Sequence, residues 1–216
     1  MVELYEAMST LRAVRRLRPD PIPDEVLQRV LQAAAWAPTG GNVQPFRIVV
    51  VKDPGKLQQI QGWYHAEWHK YTSDMRAGLG KMSEDARDAP QKMLKAGDYL
   101  ADHLGQVPAL LVFCFNASSM AITDANLDRP SVVGGGSVYT AVQNVMLACR
   151  AEGLGCVLTT LLCFREEEVR QLLDIPAQWG TCAHVPIGYP VLRGHGPISR
   201  RPVSKLTFLD EWGNDL

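Results

Sequence analysis

The sequence has almost no net charge and no long apolar run. Its 22 Lys and Arg residues balance 23 Asp and Glu, which gives a formal net charge of −1. No global attraction therefore draws the chain to nucleic acid or to an anionic membrane. The longest apolar stretches, such as residues 108–115, are far too short to span a bilayer. We expect neither nucleic acid nor a membrane among the partners, and any anion site has to be a local arginine cluster.

The sequence also lacks the marks of export and of a disulfide framework. Its first residues, MVELYEAMSTLR, are acidic and amphipathic, without the basic start and apolar block of a secretory signal. The five cysteines are odd in number and scattered, and no CxxC pair occurs. This pattern favours reduced thiols in the core of a cytoplasmic protein.

What is present suffices for one domain with a full core. The chain has 216 residues, and its 46% hydrophobic and 21% charged content is that of an ordinary globular protein. Apolar periodicity predicts helices over 2–14, 24–36, 54–61, 137–152 and 166–173, and buried strands over 46–52, 108–115, 155–160 and 181–189. Strands spaced by helices predict a layered arrangement with both sheet faces covered. The polar, helical residues 62–105 are the least core-like part and predict an excursion or lid.

Arginines are concentrated in two short segments. The first holds Arg12, Arg15, Arg16 and Arg18, and the second holds Arg193, Arg200 and Arg201. A guanidinium group binds phosphate oxygens bidentately and stays charged at any relevant pH. The two clusters therefore suggest one converging anion site, while a solvated basic stretch at a helix end remains the alternative for the first.

Two glycine-containing loops add to this pattern. In APTGGNVQPFR (37–47) the polar side chains of Thr39, Asn42 and Gln44 suit the edge of a planar heteroaromatic ligand, and the glycines allow close approach. An ordinary turn has the same composition. In VVGGGSVYTAVQN (132–144) three glycines precede a helix start that is able to hold an anion, although no P-loop or dinucleotide fingerprint is present.

Other site types have little support in the sequence. His65 and His69 lie four residues apart on a predicted helix, but no third ligand is placed beside them, so we expect no metal. No G-x-S-x-G motif occurs. Nothing visible activates Cys163, so a buried inert thiol is the simpler interpretation.

The ordered set of segments resembles the nitroreductase family of FMN-dependent oxidoreductases. Residues 11–51 are similar to the family's N-terminal signature, residues 137–160 to its central helix and following strand, and PIGYP (186–190) with GPISRRPV (196–203) to its closing segment. Together they make up a little over a third of the chain and are spread from residue 11 to residue 203. Residues 62–105 are not diagnostic, as expected of the family's variable region.

The resemblance implies an α+β fold: a three-layer α/β/α arrangement, with a mixed, mainly antiparallel central sheet, formed by residues 1–216 as a single domain. It also implies an intertwined homodimer with FMN at the interface. NADH or NADPH would reduce the flavin at N5, and a small acceptor such as a nitroaromatic, a quinone or a flavin would reoxidise it in a ping-pong mechanism. No catalytic side chain is implied. A dehydrogenase, dehalogenase or flavin-destroying branch, an FMN-binding protein without turnover and an interaction module stay open.

The resemblance also implies roles for particular residues. They are Arg12, Ala13, Val14 and Arg15 at the flavin phosphate; Pro38, Thr39, Gly40 and Gly41 reaching the partner's flavin; Asn42 and Gln44 near the ring; Thr159, Thr160 and Leu161 at the N5 edge; and Arg200, with its neighbour Arg201, at the phosphate. Ala13 stands where relatives often have Ser, so backbone has to replace a hydroxyl. Phe46 stands where many have Trp. The expected pocket wall is Trp63, Tyr64, Trp68 and Tyr71, for which plain helix packing is the alternative.

Overall fold

The computed structural model describes residues 2–216 and contains seven α-helices and four β-strands in that range. The helices are α1 (Leu4–Thr10), α2 (Asp24–Ala35), α3 (Pro54–Tyr71), α4 (Ser73–Leu79), α5 (Glu84–His103), α6 (Gly136–Ala151) and α7 (Glu166–Leu172). The strands are β1 (Phe46–Val51), β2 (Ala109–Phe115), β3 (Gly155–Cys156) and β4 (Gly180–Gly188). Across residues 2–216, no helix has the length and apolar character needed to cross a membrane.

The four strands form one sheet in the order β1-β2-β4-β3. Each ladder is antiparallel, so the parallel part of the expected mixed sheet is not among the described strands, and neighbouring strands always run in opposite directions. Side chains alternate across β2: Leu110 and Val112 enter one core, and Leu111 and Phe113 enter the other.

Helices cover both faces of this sheet. Helices α3 and α5 bury Leu57, Ile60 and Leu100 in the first core, and α2 and α6 bury Val30 and Val145 in the second. Two packed cores on opposite faces of one sheet make three layers. The predicted α+β, three-layer fold is therefore confirmed.

Three predicted boundaries are wrong in ways that affect the site. Helix α3 continues to Tyr71 instead of ending near residue 61, because buried Tyr64 and Trp68 extend its apolar stripe. Helix α1 ends at Thr10, before the first arginine cluster. Strand β3 has two residues where six were expected, and only Thr159 continues the pairing, through an isolated bridge to His184.

Candidate functional site

The arginine segment between α1 and α2 is extended and lies along the chain that follows β4. The backbone N–H of Arg18 donates to the Tyr189 carbonyl at 2.7 Å, and the Val191 N–H donates to the Arg16 carbonyl at 3.0 Å. Val14 and Leu17 are buried. The buried residues are three positions apart, and the neighbouring arginines, Arg12, Arg15 and Arg16, lie outside the core.

Close packing under this segment depends on Gly155. A Cβ at Gly155 would lie 2.6 Å from Val14 Cγ1, too close for any side chain. The Val14 N–H donates to the Cys156 carbonyl at 2.8 Å. Strand β3 therefore fixes the middle of the arginine segment, and the Val14 N–H is already engaged.

The arginines line a cleft of about 260 Å³, here called the cationic cleft. Its walls are formed by Arg12, Ala13, Val14, Arg15, Arg16, Ala96, Pro190, Leu192 and Gly194. Arg12 Nε donates to the Gly194 carbonyl at 2.8 Å, and the Arg16 guanidinium lies 4.3 Å from the Tyr99 ring centroid. No carboxylate of residues 2–216 forms an ion pair with Arg12, Arg15 or Arg16. Three such cations suit an anionic ligand.

A second cleft, of about 410 Å³ and here called the aromatic cleft, adjoins the first at Arg15, which lines both. Its other walls are Tyr64, Trp68, Tyr71, Met75, Met93, Val157, Leu158, Thr159, Thr160, Leu161 and Phe164. Of the aromatic residues expected in the pocket wall, Trp63 is instead packed against the core. The two clefts thus share Arg15, with guanidinium groups lining the first and flat apolar side chains lining the second.

The predicted segment Thr159 to Leu161 forms one wall of the aromatic cleft. Backbone bonds of 3.0 and 2.9 Å join Thr159 to His184 in β4 and hold this wall on the sheet. Burial raises the pKa of Tyr64, and a hydrogen bond with Thr159 and the charge of Arg15 oppose that rise. These three residues therefore meet where the two clefts join.

The loop from Pro38 to Gln44 lies elsewhere in the chain, at the start of α6. The Gly40 N–H donates to Ser137 Oγ at 3.0 Å, and Thr140 Oγ1 donates to the Pro38 carbonyl at 3.2 Å. Thr39, Gly40, Asn42 and Gln44 line neither cleft, and Pro38 lines a separate cavity of about 720 Å³ on α6. One chain alone therefore does not bring this loop to the arginine segment.

The second arginine cluster approaches the first only through its backbone. The Gly196 N–H donates to the Thr10 carbonyl at 3.0 Å, which places this part of the closing segment beside Arg12. Arg200 is exposed and donates a hydrogen bond to the carbonyl of the adjacent Ser199. Arg201 is exposed as well. Neither side chain lines the cationic cleft.

Arg16 belongs to the predicted arginine cluster, although the resemblance gave it no role at the flavin phosphate. Sequence reasoning missed other residues that line the clefts: Ala96, Met75, Met93 and Phe164. They come from helices and a loop whose positions relative to the arginines are set by tertiary packing. No sequence spacing could have found them.

Neither a metal nor a reactive thiol is indicated by the geometry. Within residues 2–216, no three His, Cys, Asp or Glu side chains lie close enough together to hold a metal ion. His65 instead contacts Asp102 at 3.4 Å and packs against His69. Cys163 lies at the surface, yet neighbouring atoms desolvate its thiol and, with Glu166, raise its pKa to about 11. It is therefore protonated at neutral pH.

Comparison with known proteins identifies the fold. The model of the nitroreductase family matches residues 10–189, which carry the sheet, the arginine segment and the aromatic cleft. The chain belongs to the nitroreductase family.

Proteins similar to this chain are named for different activities. An NADH dehydrogenase of Thermus thermophilus is 29% identical over 91% of both chains, and a 5,6-dimethylbenzimidazole synthase of Rhodospirillum rubrum is 32% identical over 88% of this chain and 87% of that one. A solved iodotyrosine deiodinase, bound to FMN and 3-iodo-L-tyrosine, is 25% identical over 93% of this chain and 94% of its own, with a TM-score of 0.67. Family membership therefore fixes the fold and leaves the reaction to be argued from the site.

Proposed function

We propose that this protein is an FMN-dependent oxidoreductase that transfers two electrons from NADH or NADPH to a small oxidised acceptor such as a nitroaromatic, a quinone or a flavin. The observation that carries the proposal is that the cationic and aromatic clefts join at Arg15. A ligand that fills both needs an anionic end and a flat aromatic end. FMN has both, in a single molecule.

The residues present fit this cofactor. Arg12 and Arg15 would hold the phosphate, since neither has a carboxylate partner among residues 2–216. The Val14 N–H is engaged by Cys156, so the backbone donor that replaces the lost serine hydroxyl would be that of Ala13. Thr159, Thr160 and Leu161 would lie beside the ring, and Trp68 and Tyr71 would form the wall of the part of the cleft that the ring leaves open to donor and acceptor.

FMN, when bound, would supply the hydride chemistry itself, so the chain needs no nucleophile. Arg15, at the junction, would stabilise negative charge that develops on the ring. Tyr64, Trp68 and Phe164 would exclude water from the reacting face. Donor and acceptor would occupy the same aromatic cleft in turn, which predicts ping-pong kinetics.

We propose in addition that the protein works as a homodimer with FMN at the interface. Supporting this, the loop from Pro38 to Gln44 lines neither cleft of its own chain. Large apolar side chains stand exposed beside it, Trp36 at 74% and Val43 at 51%. A partner chain would cover them and bring Thr39, Asn42 and Gln44 to the ring. The five unpaired cysteines support a cytoplasmic location.

The proposal is tested by the visible spectrum of the purified protein. We expect flavin absorbance bands, release of FMN on heating, and anaerobic bleaching of the bands by NADH or NADPH. A colourless protein that FMN cannot reconstitute would contradict the proposal. Bound FMN that neither nicotinamide reduces would indicate a flavin-binding protein without turnover.

Arginine substitutions then test the site. Arg15→Ala should weaken FMN binding about 10- to 100-fold, the loss expected for a charge-assisted contact. Arg18→Ala is the matched control, because Arg18 lies on the same segment, outside both clefts, near Asp20 at the surface. Arg200→Ala should weaken FMN retention far more than folding, since within residues 2–216 its side chain hydrogen-bonds only to the adjacent Ser199 carbonyl. Unchanged FMN affinity would remove Arg200 from the site.

A further inference from the structure

One carboxylate joins three helices at the rim of the aromatic cleft. Asp98 of α5 accepts a 2.7 Å hydrogen bond from Trp68 Nε1 on α3. It also accepts two hydrogen bonds from the Arg76 guanidinium on α4, one of them at 3.3 Å. Arg76 Nε in turn donates to Thr72 Oγ1 at 2.9 Å, and Thr72 Oγ1 donates to the Trp68 carbonyl at 2.8 Å. These four side chains form a closed set, here called the Asp98 latch.

The latch is shielded from solvent more than an ordinary surface pair. The side chains of Asp98 and Arg76 are 32% and 31% exposed, and Thr72 is fully buried. Burial alone would raise the pKa of Asp98, but the hydrogen bonds from Arg76 and Trp68 outweigh it and leave the pKa below its usual value. The charged carboxylate is thus the form that the latch holds.

The glycine next to Asp98 allows the indole to reach it. A Cβ at Gly97 would lie 2.0 Å from Trp68 Cζ2, so only a residue without a side chain permits this contact. The Trp68 ring therefore packs against the backbone of α5 at Gly97, and its Nε1 is held by the Asp98 carboxylate. Two neighbouring residues of α5 therefore position the same ring: Gly97 by leaving space for it, and Asp98 by accepting its hydrogen bond.

Helix α4, which carries part of this wall, has few other anchors. Helix α4 has seven residues, of which none is buried. Its Met75 and the preceding Tyr71 are exposed, and both line the aromatic cleft. The facing wall, Val157 to Leu161, is bonded to the sheet through Thr159. One side of the cleft is therefore bonded to the sheet, and on the other side Asp98 links α4 to α5 and to buried Trp68.

We propose that Asp98 is a positioning residue that sets the shape of the acceptor site by holding Trp68 and α4 against α5, and that it thereby favours acceptors wide enough to contact this wall. The inference rests on the proposed function, in which donor and acceptor occupy the part of the aromatic cleft that the FMN ring leaves open. A planar acceptor of two fused rings covers more of the wall than one of a single ring. The latch therefore matters more for the larger acceptor.

The test compares Asp98→Asn with Asp88→Asn. Asp88 lies on the same helix, pairs with Lys92 at the surface and lines neither cleft. With the FMN-loaded protein we expect Asp98→Asn to raise the KM for menadione about 5- to 20-fold. The KM for p-benzoquinone, the kcat for p-benzoquinone and the FMN affinity should stay within about twofold. Asp88→Asn should leave all four values unchanged.

Trypsin gives a second readout that does not depend on flavin. Arg76 and the exposed Lys81 flank the end of α4, and release of the latch should speed cleavage after them about tenfold in Asp98→Asn but not in Asp88→Asn. Equal menadione KM values in the two variants, or a loss of FMN affinity as large as the rise in KM, would overturn the inference. If the unaltered chain bound no FMN, the proposed function would fail, and equal trypsin rates would separately overturn the latch.

Discussion

Gly97 shows how one missing side chain positions a large one. Replacing a glycine inside a helix by alanine normally stabilises the helix by about 0.5–1 kcal/mol. Gly97→Ala should do the opposite and lower the free energy of unfolding by about 1–3 kcal/mol, because its Cβ would meet the Trp68 ring. Gly62→Ala is the control, since a Cβ there meets no atom within 4 Å and should stabilise α3. Urea unfolding of both variants decides the sign of each change.

His184 is a second residue whose effect on stability has a definite sign. Its ring is fully buried in β4, and neither ring nitrogen has a hydrogen-bond partner among residues 2–216. Burial lowers its pKa from 6.5 to about 4. Because the folded pKa is the lower one, the contribution to stability is complete above about pH 6.5 and is lost as the pH falls toward 4, by at most about 3 kcal/mol.

The variant His184→Leu isolates this contribution from those of the carboxylates. Leucine fills a similar volume and leaves no unpaired nitrogen, so the variant should be as stable as the original chain at pH 7.5, or more so. Below pH 6 the original chain should lose stability faster than the variant. Urea unfolding midpoints of both proteins at pH 7.5 and pH 4.5 measure this difference. Parallel losses in the two proteins would show that His184 does not titrate in this range.

At the level of single residues, the sequence predicted which residue types form the site better than it predicted which residues lie next to one another. The arginine cluster was visible because guanidinium groups so dense in a neutral chain are unusual, and three of its members line the cationic cleft. The role of Arg15 as the junction was not visible. It depends on Tyr64 and Thr159, which are brought to Arg15 by tertiary packing and not by any spacing.

Among the elements, α3 and the segment after Thr160 are joined by a charged pair close to the aromatic cleft. Glu67 on α3 is buried and accepts from Arg165 Nε at 2.7 Å. Glu67→Gln should lower the free energy of unfolding by about 1–3 kcal/mol. This is less than the loss of one partner from a fully buried ion pair usually costs, because the Arg165 side chain is 37% exposed. Glu168→Gln removes the more exposed partner of the same arginine and should cost less. Thermal unfolding of both variants checks the order.

The elements themselves were mostly predictable, and their limits were not. Strands β1, β2 and β4 and helices α2 and α6 follow from apolar periodicity, since each buries a regular face. The length of α3 was underestimated because its C-terminal half mixes histidine, lysine and glycine with the buried Tyr64 and Trp68. The sequence after Gly155 reads as a strand, but only its first residues find a partner strand.

For the whole molecule, the proposed dimer predicts a sedimenting species of about twice the 23.9 kDa chain mass. The last residues expose apolar side chains that nothing within residues 2–216 covers, with Trp212 92% and Leu209 50% exposed. Trp212→Ser combined with Leu209→Ser should shift the protein toward the monomer and release FMN in parallel. Lys81→Ser, on an exposed turn, is the control. A monomer that keeps full FMN affinity would contradict a site shared between chains.

The order of the strands could not be read from the sequence, because periodicity places side chains on faces but does not pair strands. The same limit applies to the loop from Pro38 to Gln44. Its composition predicted a ligand contact, and its fold leaves it outside both clefts of its own chain. Whether a second chain brings it to the ring depends on a surface that a single sequence does not define.

The cationic cleft joins parts of the chain that are made at very different times. The bond from Arg12 to the Gly194 carbonyl spans 182 residues, and Val191 closes onto Arg16 over a similar distance. During synthesis on a ribosome the arginines emerge long before the residues that complete their cleft. The cationic cleft is consequently unable to form until the segment around Gly194 has been made, so its closure depends on contacts between parts of the chain that are far apart in sequence.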